Sequence, residues 1–128
     1  MNPLDILHVD DDESIRELTE LSFVLTGDGV VRSAASGAAA LELLSTDYRP
    51  DVILLDVMMP ALDGPGLLTL IRALEVHAGT PVIFMTAQAQ DAETQRLIDL
   101  GAAGVIIKPF DPLTLSGAVR ALLAKERP

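Results

Sequence analysis

The groups in this chain best placed to do chemistry are carboxylates, one hydroxyl and one ammonium, each at the end of an apolar run. Asp10, Asp11 and Asp12 follow the run 4–9, Asp56 follows 52–55, Thr86 follows 82–85 and Lys108 follows 104–107. Carboxylates a few ångströms apart repel, and the remedies are a raised pKa, a bound cation or a neighbouring lysine. With oxygen ligands, no cysteine and no histidine cluster, such a set favours a hard ion such as Mg²⁺ over zinc or copper. Mg²⁺ often shares its shell with a phosphate oxygen, so an acidic pocket with one Lys and one Thr suits a phosphoryl group. An aspartate nucleophile there would form an acyl phosphate, with the cation and the lysine neutralising charge on the transferring oxygens.

These side chains meet only if the apolar runs are neighbouring parallel strands. Strand-length apolar runs alternate five times with segments of helical period, the pattern of repeated strand–helix units. Strands are expected at Leu4 to Val9 (β1), Gly29 to Ala34 (β2), Val52 to Leu55 (β3), Val82 to Met85 (β4) and Gly104 to Ile107 (β5). Helices are expected at Ser14 to Leu25 (α1), Ala38 to Ser45 (α2), Gly66 to Leu74 (α3), Ala92 to Leu100 (α4) and Leu113 to Ala124 (α5). Several strands are apolar at consecutive positions, as expected when helices cover both sheet faces. Gly27 and Gly101 suit helix ends, while Ser36, Asp63 with Pro65, and Asp111 with Pro112 suit helix starts. In an open α/β sheet, ligands bind outside the carboxyl ends of the strands, where every group named above would lie; β2 alone contributes nothing obvious.

Composition narrows the classes. At 128 residues with 49% apolar, the chain suits one domain spanning residues 1–128. Nine basic against nineteen acidic residues give a net charge of −10, which disfavours direct nucleic-acid binding. The one basic tail, Lys125 to Arg127, is short and interrupted by Glu126. Without cysteine there are no disulfides, thiolate metal sites or thiol nucleophiles. The opening Met-Asn-Pro-Leu-Asp lacks the pattern of a secretory signal and no apolar run is long enough to span a bilayer, so a soluble, cytoplasmic domain without membrane contact is expected.

The strings ILHVDDDES, RPDVILLDVMMPALDG, PVIFMTA and GAAGVIIKPFDP resemble, in order, the blocks of response regulator receiver domains, and the match covers essentially the whole chain. The resemblance implies a flavodoxin-like, doubly wound (βα)5 sandwich with a parallel sheet in the order 2-1-3-4-5. It implies Asp56 as phosphoacceptor, and Asp11, Asp56 and the backbone carbonyl of Met58 as direct Mg²⁺ ligands, with Asp10 acting through water. Thr86 and Lys108 would contact the phosphoryl oxygens, and Met58 and Gln88 would tune the lifetime of the acyl phosphate. The implied partners are a histidine kinase or histidine phosphotransfer protein and a downstream protein bound through the α4-β5-α5 face, with room for a weak homodimer. Such a chain is not a turnover enzyme; it catalyses its own phosphorylation and slow dephosphorylation.

Plainer readings hold for some residues. Asp12 and Glu13 suit helix capping. Met58, Met59, Phe84 and Met85 read as packing residues, His8 as a packed core histidine and His77 as an exposed loop residue. Val105 stands where many receivers carry a Tyr or Phe coupled to the Thr, so switching is expected to use the loop after Thr86, α4, or backbone shifts. Gly104-Val105 also replaces the Asp-Asp-Tyr of many receivers that dimerise ahead of a winged-helix DNA-binding domain. Rival readings are an aspartyl-phosphate hydrolase of small metabolites, a flavodoxin-like cofactor binder and a phosphorylation-independent interaction module. The hydrolase wants a second acid where Asp56-Val57-Met58 has none, and the cofactor binder an uncharged loop where Asp10 to Asp12 stand.

Overall fold

A computed structural model describes residues 2–126; Arg127 of the basic tail lies outside the described residues. Strands β1 (Leu4–Val9), β2 (Gly29–Ala34), β3 (Val52–Asp56), β4 (Val82–Thr86) and β5 (Gly104–Ile107) form one parallel sheet in the order β2-β1-β3-β4-β5. Between them run α1 (Glu13–Thr26), α2 (Gly37–Leu44), α3 (Gly64–Ala73), α4 (Asp91–Asp99) and α5 (Leu115–Glu126), with a short 3-10 turn at Glu75–His77. The expected flavodoxin-like architecture is therefore present. Asp56 and Thr86 prove to be the last residues of β3 and β4.

Strand alternation sorts the core into two layers. On one side Leu7, Val9, Ile53, Leu55 and Phe84 pack with Leu44 of α2, Leu67 and Ile71 of α3, and Leu97 of α4. On the other, Ile6, Leu54, Ile83 and Met85 pack with Phe23 of α1 and Leu115 and Val119 of α5. Both faces of β3 and β4 are buried, which explains their unbroken apolar runs.

Capping chemistry sets most helix boundaries. Asp12, Ser36 and Asp63 each accept a backbone N–H from the first turn of α1, α2 and α3. Gly27 closes α1 in the left-handed region at φ 66°. The start of α5 differs from expectation: Asp111 accepts from the backbone N–H of Leu113, and its carbonyl accepts from those of Thr114 and Leu115. Residues 112–114 thus form a capped turn, and the regular helix begins at Leu115.

Two further sequence expectations are corrected. His77 is fully buried, because Nε2 lies 3.1 Å from the Leu44 carbonyl and Nδ1 3.3 Å from Thr80 Oγ1, tying the turn after α3 to the end of α2. Met58 is 73% exposed and belongs to neither core cluster of the described residues; the chain leaves the sheet immediately after Asp56, and Val57 and Met59 take the buried positions instead.

Candidate functional site

The carboxyl ends of β1, β3, β4 and β5 surround an open cavity of about 260 Å³ lined by Asp10, Asp11, Asp12, Asp56, Met58, Thr86, Ala87 and Lys108. Asp10 is fully buried and held at every polar atom. Its N–H donates to the Ala34 carbonyl (3.1 Å), and its own carbonyl accepts from Arg16 Nη1 (2.8 Å). Oδ1 accepts from the Asp12 N–H (2.9 Å) and Oδ2 from Lys108 Nζ (3.1 Å). Asp11 is exposed. Asp12 lines the mouth but is spent on α1, its Oδ1 accepting from the Ser14 N–H at 2.8 Å.

Asp56 sits at the floor, 5% exposed, with Oδ1 accepting from Lys108 Nζ at 3.0 Å. One ammonium therefore bridges Asp10 and Asp56. Lys108 is carried there by the ladder between β4 and β5, which continues with its N–H donating to the Thr86 carbonyl (2.7 Å). Thr86 is buried, and its Oγ1 accepts from the Gln88 N–H (3.1 Å), which shapes the loop leaving β4. Gly64, at the start of α3, must lack a side chain, because a Cβ there would collide with the Asp56 carbonyl.

Electrostatics follow from this crowding. Burial pushes the Asp56 carboxyl up to about 6; Asp10 and Asp11 add to the rise, while the Lys108 hydrogen bond opposes it. Burial works against the Lys108 ammonium, but its contacts with Asp56 and Asp10 prevail and hold its pKa above the ordinary lysine value. His8 lies on the same face of β1 as Asp10, and burial pulls its pKa down to about 4 despite Asp10.

The donor set fits a hard cation. Carboxylate oxygens of Asp10, Asp11 and Asp56 lie within 4.8 Å of one another, and the Met58 carbonyl accepts no hydrogen bond among the described residues. Oxygen-only donors at an open edge of the sheet match Mg²⁺ better than softer metals.

The receiver-domain family model, described as "Response regulator receiver domain", matches residues 6–120. The chain belongs to the response regulator receiver domain family. A probable transcriptional regulator, ycf27, of Guillardia theta is 38% identical over 94% of this chain and 45% of its own length. The transcriptional regulatory protein CseB of Streptomyces coelicolor is 38% identical over 94% of this chain and 49% of its own. The receiver thus spans about half the length of the curated relatives it matches. Among solved structures, the chemotaxis response regulator CheY4 of Vibrio cholerae superposes with TM-score 0.85 at 30% identity, covering 94% of this chain and 99% of that one. A putative response regulator from Chloroflexus aurantiacus gives TM-score 0.85 at 33% identity over 96% and 99%. The family makes this chain a module of two-component signalling.

Within the receiver, Asp10, Asp11, Asp56, Met58, Thr86 and Lys108 share the cavity. Gln88 is absent from its lining and touches the site through its N–H alone. Val105 lies apart, half-buried against the core on β5 beside Phe84. Sequence reasoning missed Arg16, whose reach back to the Asp10 carbonyl has no local signature. It also left His8 without a relation to the site, although period-two alternation was the signal that places His8 and Asp10 on one face.

Among the described residues no helix is long and apolar enough to cross a membrane.

Proposed function

We propose that this receiver accepts a phosphoryl group on Asp56 from a phosphohistidine of a histidine kinase or phosphotransfer protein. The observation that carries the reading is the pairing of a buried, cavity-facing aspartate with a lysine 3.0 Å away and two further carboxylates within 4.8 Å. Asp11, Asp56 and the Met58 carbonyl would hold Mg²⁺, with Asp10 reaching it through water, and the ion would supply positive charge to the transferring oxygens. Asp56 has the required asymmetry: one oxygen is engaged by Lys108, and the other has no protein donor among the described residues. With its pKa near 6, Asp56 is mostly ionised at neutral pH and able to attack.

In the transfer, an Asp56 oxygen bonds to phosphorus and the P–N bond of the phosphohistidine breaks. The electron pair leaves with the imidazole nitrogen, and a donor ring protonated on its other nitrogen departs as neutral imidazole. Lys108 neutralises charge on the phosphoryl oxygens, and Thr86 can turn its hydroxyl from the Gln88 N–H to the same oxygens. That turn releases the loop between β4 and α4, so the altered surface is α4-β5-α5, where a downstream protein binds. Met58, highly exposed beside the cavity, and Gln88 govern water access and hence the lifetime of the acyl phosphate. The chain performs its own phosphorylation and slow hydrolysis without turning over a separate substrate.

Incubation with acetyl phosphate and Mg²⁺, read by intact mass, is expected to add one phosphoryl group, and Asp56→Asn to abolish it. An unlabelled wild type, under conditions that label a control receiver, refutes the assignment.

A further inference from the structure

His8 is a buried titratable group beside the site for which the phosphoacceptor chemistry has no use. Its ring is completely buried, yet neither Nδ1 nor Nε2 has a hydrogen-bond partner among the described residues. Nε2 lies 3.8 Å from Asp10 Oδ2, beyond hydrogen-bond reach, while Lys108 Nζ occupies that oxygen at 3.1 Å. A neutral imidazole carries one N–H, and a buried donor left unpaired is destabilising, whereas an apolar residue in this strand would incur no such penalty.

The cost has a purpose if the donor is paired in another state. Lys108 Nζ bridges Asp10 Oδ2 at 3.1 Å and Asp56 Oδ1 at 3.0 Å. A phosphoryl group on Asp56 would move negative charge from the carboxylate outward onto the phosphoryl oxygens, and the ammonium would follow it. Asp10 Oδ2 would then lose its Lys108 donor. A shift of about 1 Å would bring the His8 ring within bonding distance.

We propose that His8 is a positioning residue for Asp10, its Nε2–H taking over Oδ2 when Lys108 is drawn to the phosphoryl group. This rests on the phosphoacceptor reading of Asp56. It also provides a mobile ring in a receiver whose β5 has Val105 and no aromatic to swing. His8 stands on β1 between Ser33 of β2 and Leu54 of β3, so its closure reports the state of the site to the sheet face covered by α1 and α5.

The test uses the ¹⁵N-labelled chain in three states: alone, with Mg²⁺, and with Mg²⁺ plus beryllofluoride as the phosphoryl mimic. The chain has two histidines, so their ring signals are separable and assigned through backbone connectivities. Beryllofluoride is expected to move the His8 ring N–H proton downfield and slow its exchange, with the tautomer on Nε2 and His77 unchanged. His8→Leu is expected to weaken beryllofluoride binding about tenfold while leaving Mg²⁺ affinity within about twofold, and His8→Gln to recover most of the loss. If fluorine spectra show no beryllofluoride bound to the wild type, the phosphoacceptor reading falls and this proposal with it. If it binds but the His8 signals stay in place, or His8→Leu binds it as tightly as the wild type, the role of His8 alone is overturned.

Discussion

Asp56→Asn is expected to stabilise the metal-free protein, and the gain is expected to grow with pH. The carboxyl titrates near 3.8 in an unfolded chain and near 6 in the folded one. At about 1.4 kcal/mol per pH unit, this rise is worth about 3 kcal/mol against the folded state once both forms have ionised. The folded state holds the proton more tightly, so stability is lost as pH rises from about 4 through about 6. Asparagine keeps the shape and the acceptor for Lys108 but carries no charge, so it escapes this loss. Urea unfolding without divalent ions is expected to favour the variant by about 3 kcal/mol at about pH 8 and by about half that at about pH 5. The larger difference corresponds to about 10 °C in Tm for a domain of this size. His8 acts in the opposite sense, since its folded pKa near 4 means stability is lost as pH falls below 6.5, but it is common to both proteins and cancels. A variant no more stable than wild type at the higher pH, or a gain independent of pH, would refute the claim that buried charge at Asp56 opposes folding.

Other expectations follow from the same contacts. Millimolar Mg²⁺ is expected to raise the Tm of the wild type and to do much less for Asp56→Asn; equal shifts in thermal unfolding would argue against Asp56 as a ligand. Lys108→Met leaves Asp10 and Asp56 without their shared cation and is expected to cost about 2 kcal/mol or more in metal-free urea unfolding, with Mg²⁺ recovering part of it. Ala61 holds a left-handed backbone at φ 67°, so Ala61→Gly is expected to stabilise by about 1 kcal/mol, and a destabilised variant would show that its methyl packs usefully. Gly64→Ala forces a methyl against the Asp56 carbonyl and is expected both to lower Tm and to slow acetyl phosphate labelling; slower labelling without loss of Tm would mean a purely local displacement.

Much of the receiver was legible in the sequence because its signals are local or periodic. Apolar runs such as 52–55 and 82–85 can be continuous only if both sheet faces are covered, and Asp12, Ser36 and Asp63 announce helices through caps that act within three residues. Asp10, Asp56, Thr86 and Lys108 were identifiable because parallel strands deliver their last residues to one edge, whatever the side-chain details. What depended on packing between distant segments was not legible. Burial of His77 requires the Leu44 carbonyl, 33 residues away in sequence, and exposure of Met58 depends on which way the chain turns after β3. The single ammonium shared by Asp10 and Asp56, and the histidine left unpaired behind it, arise from distances set across three strands, and residue types and spacing along a chain do not encode distances between strands.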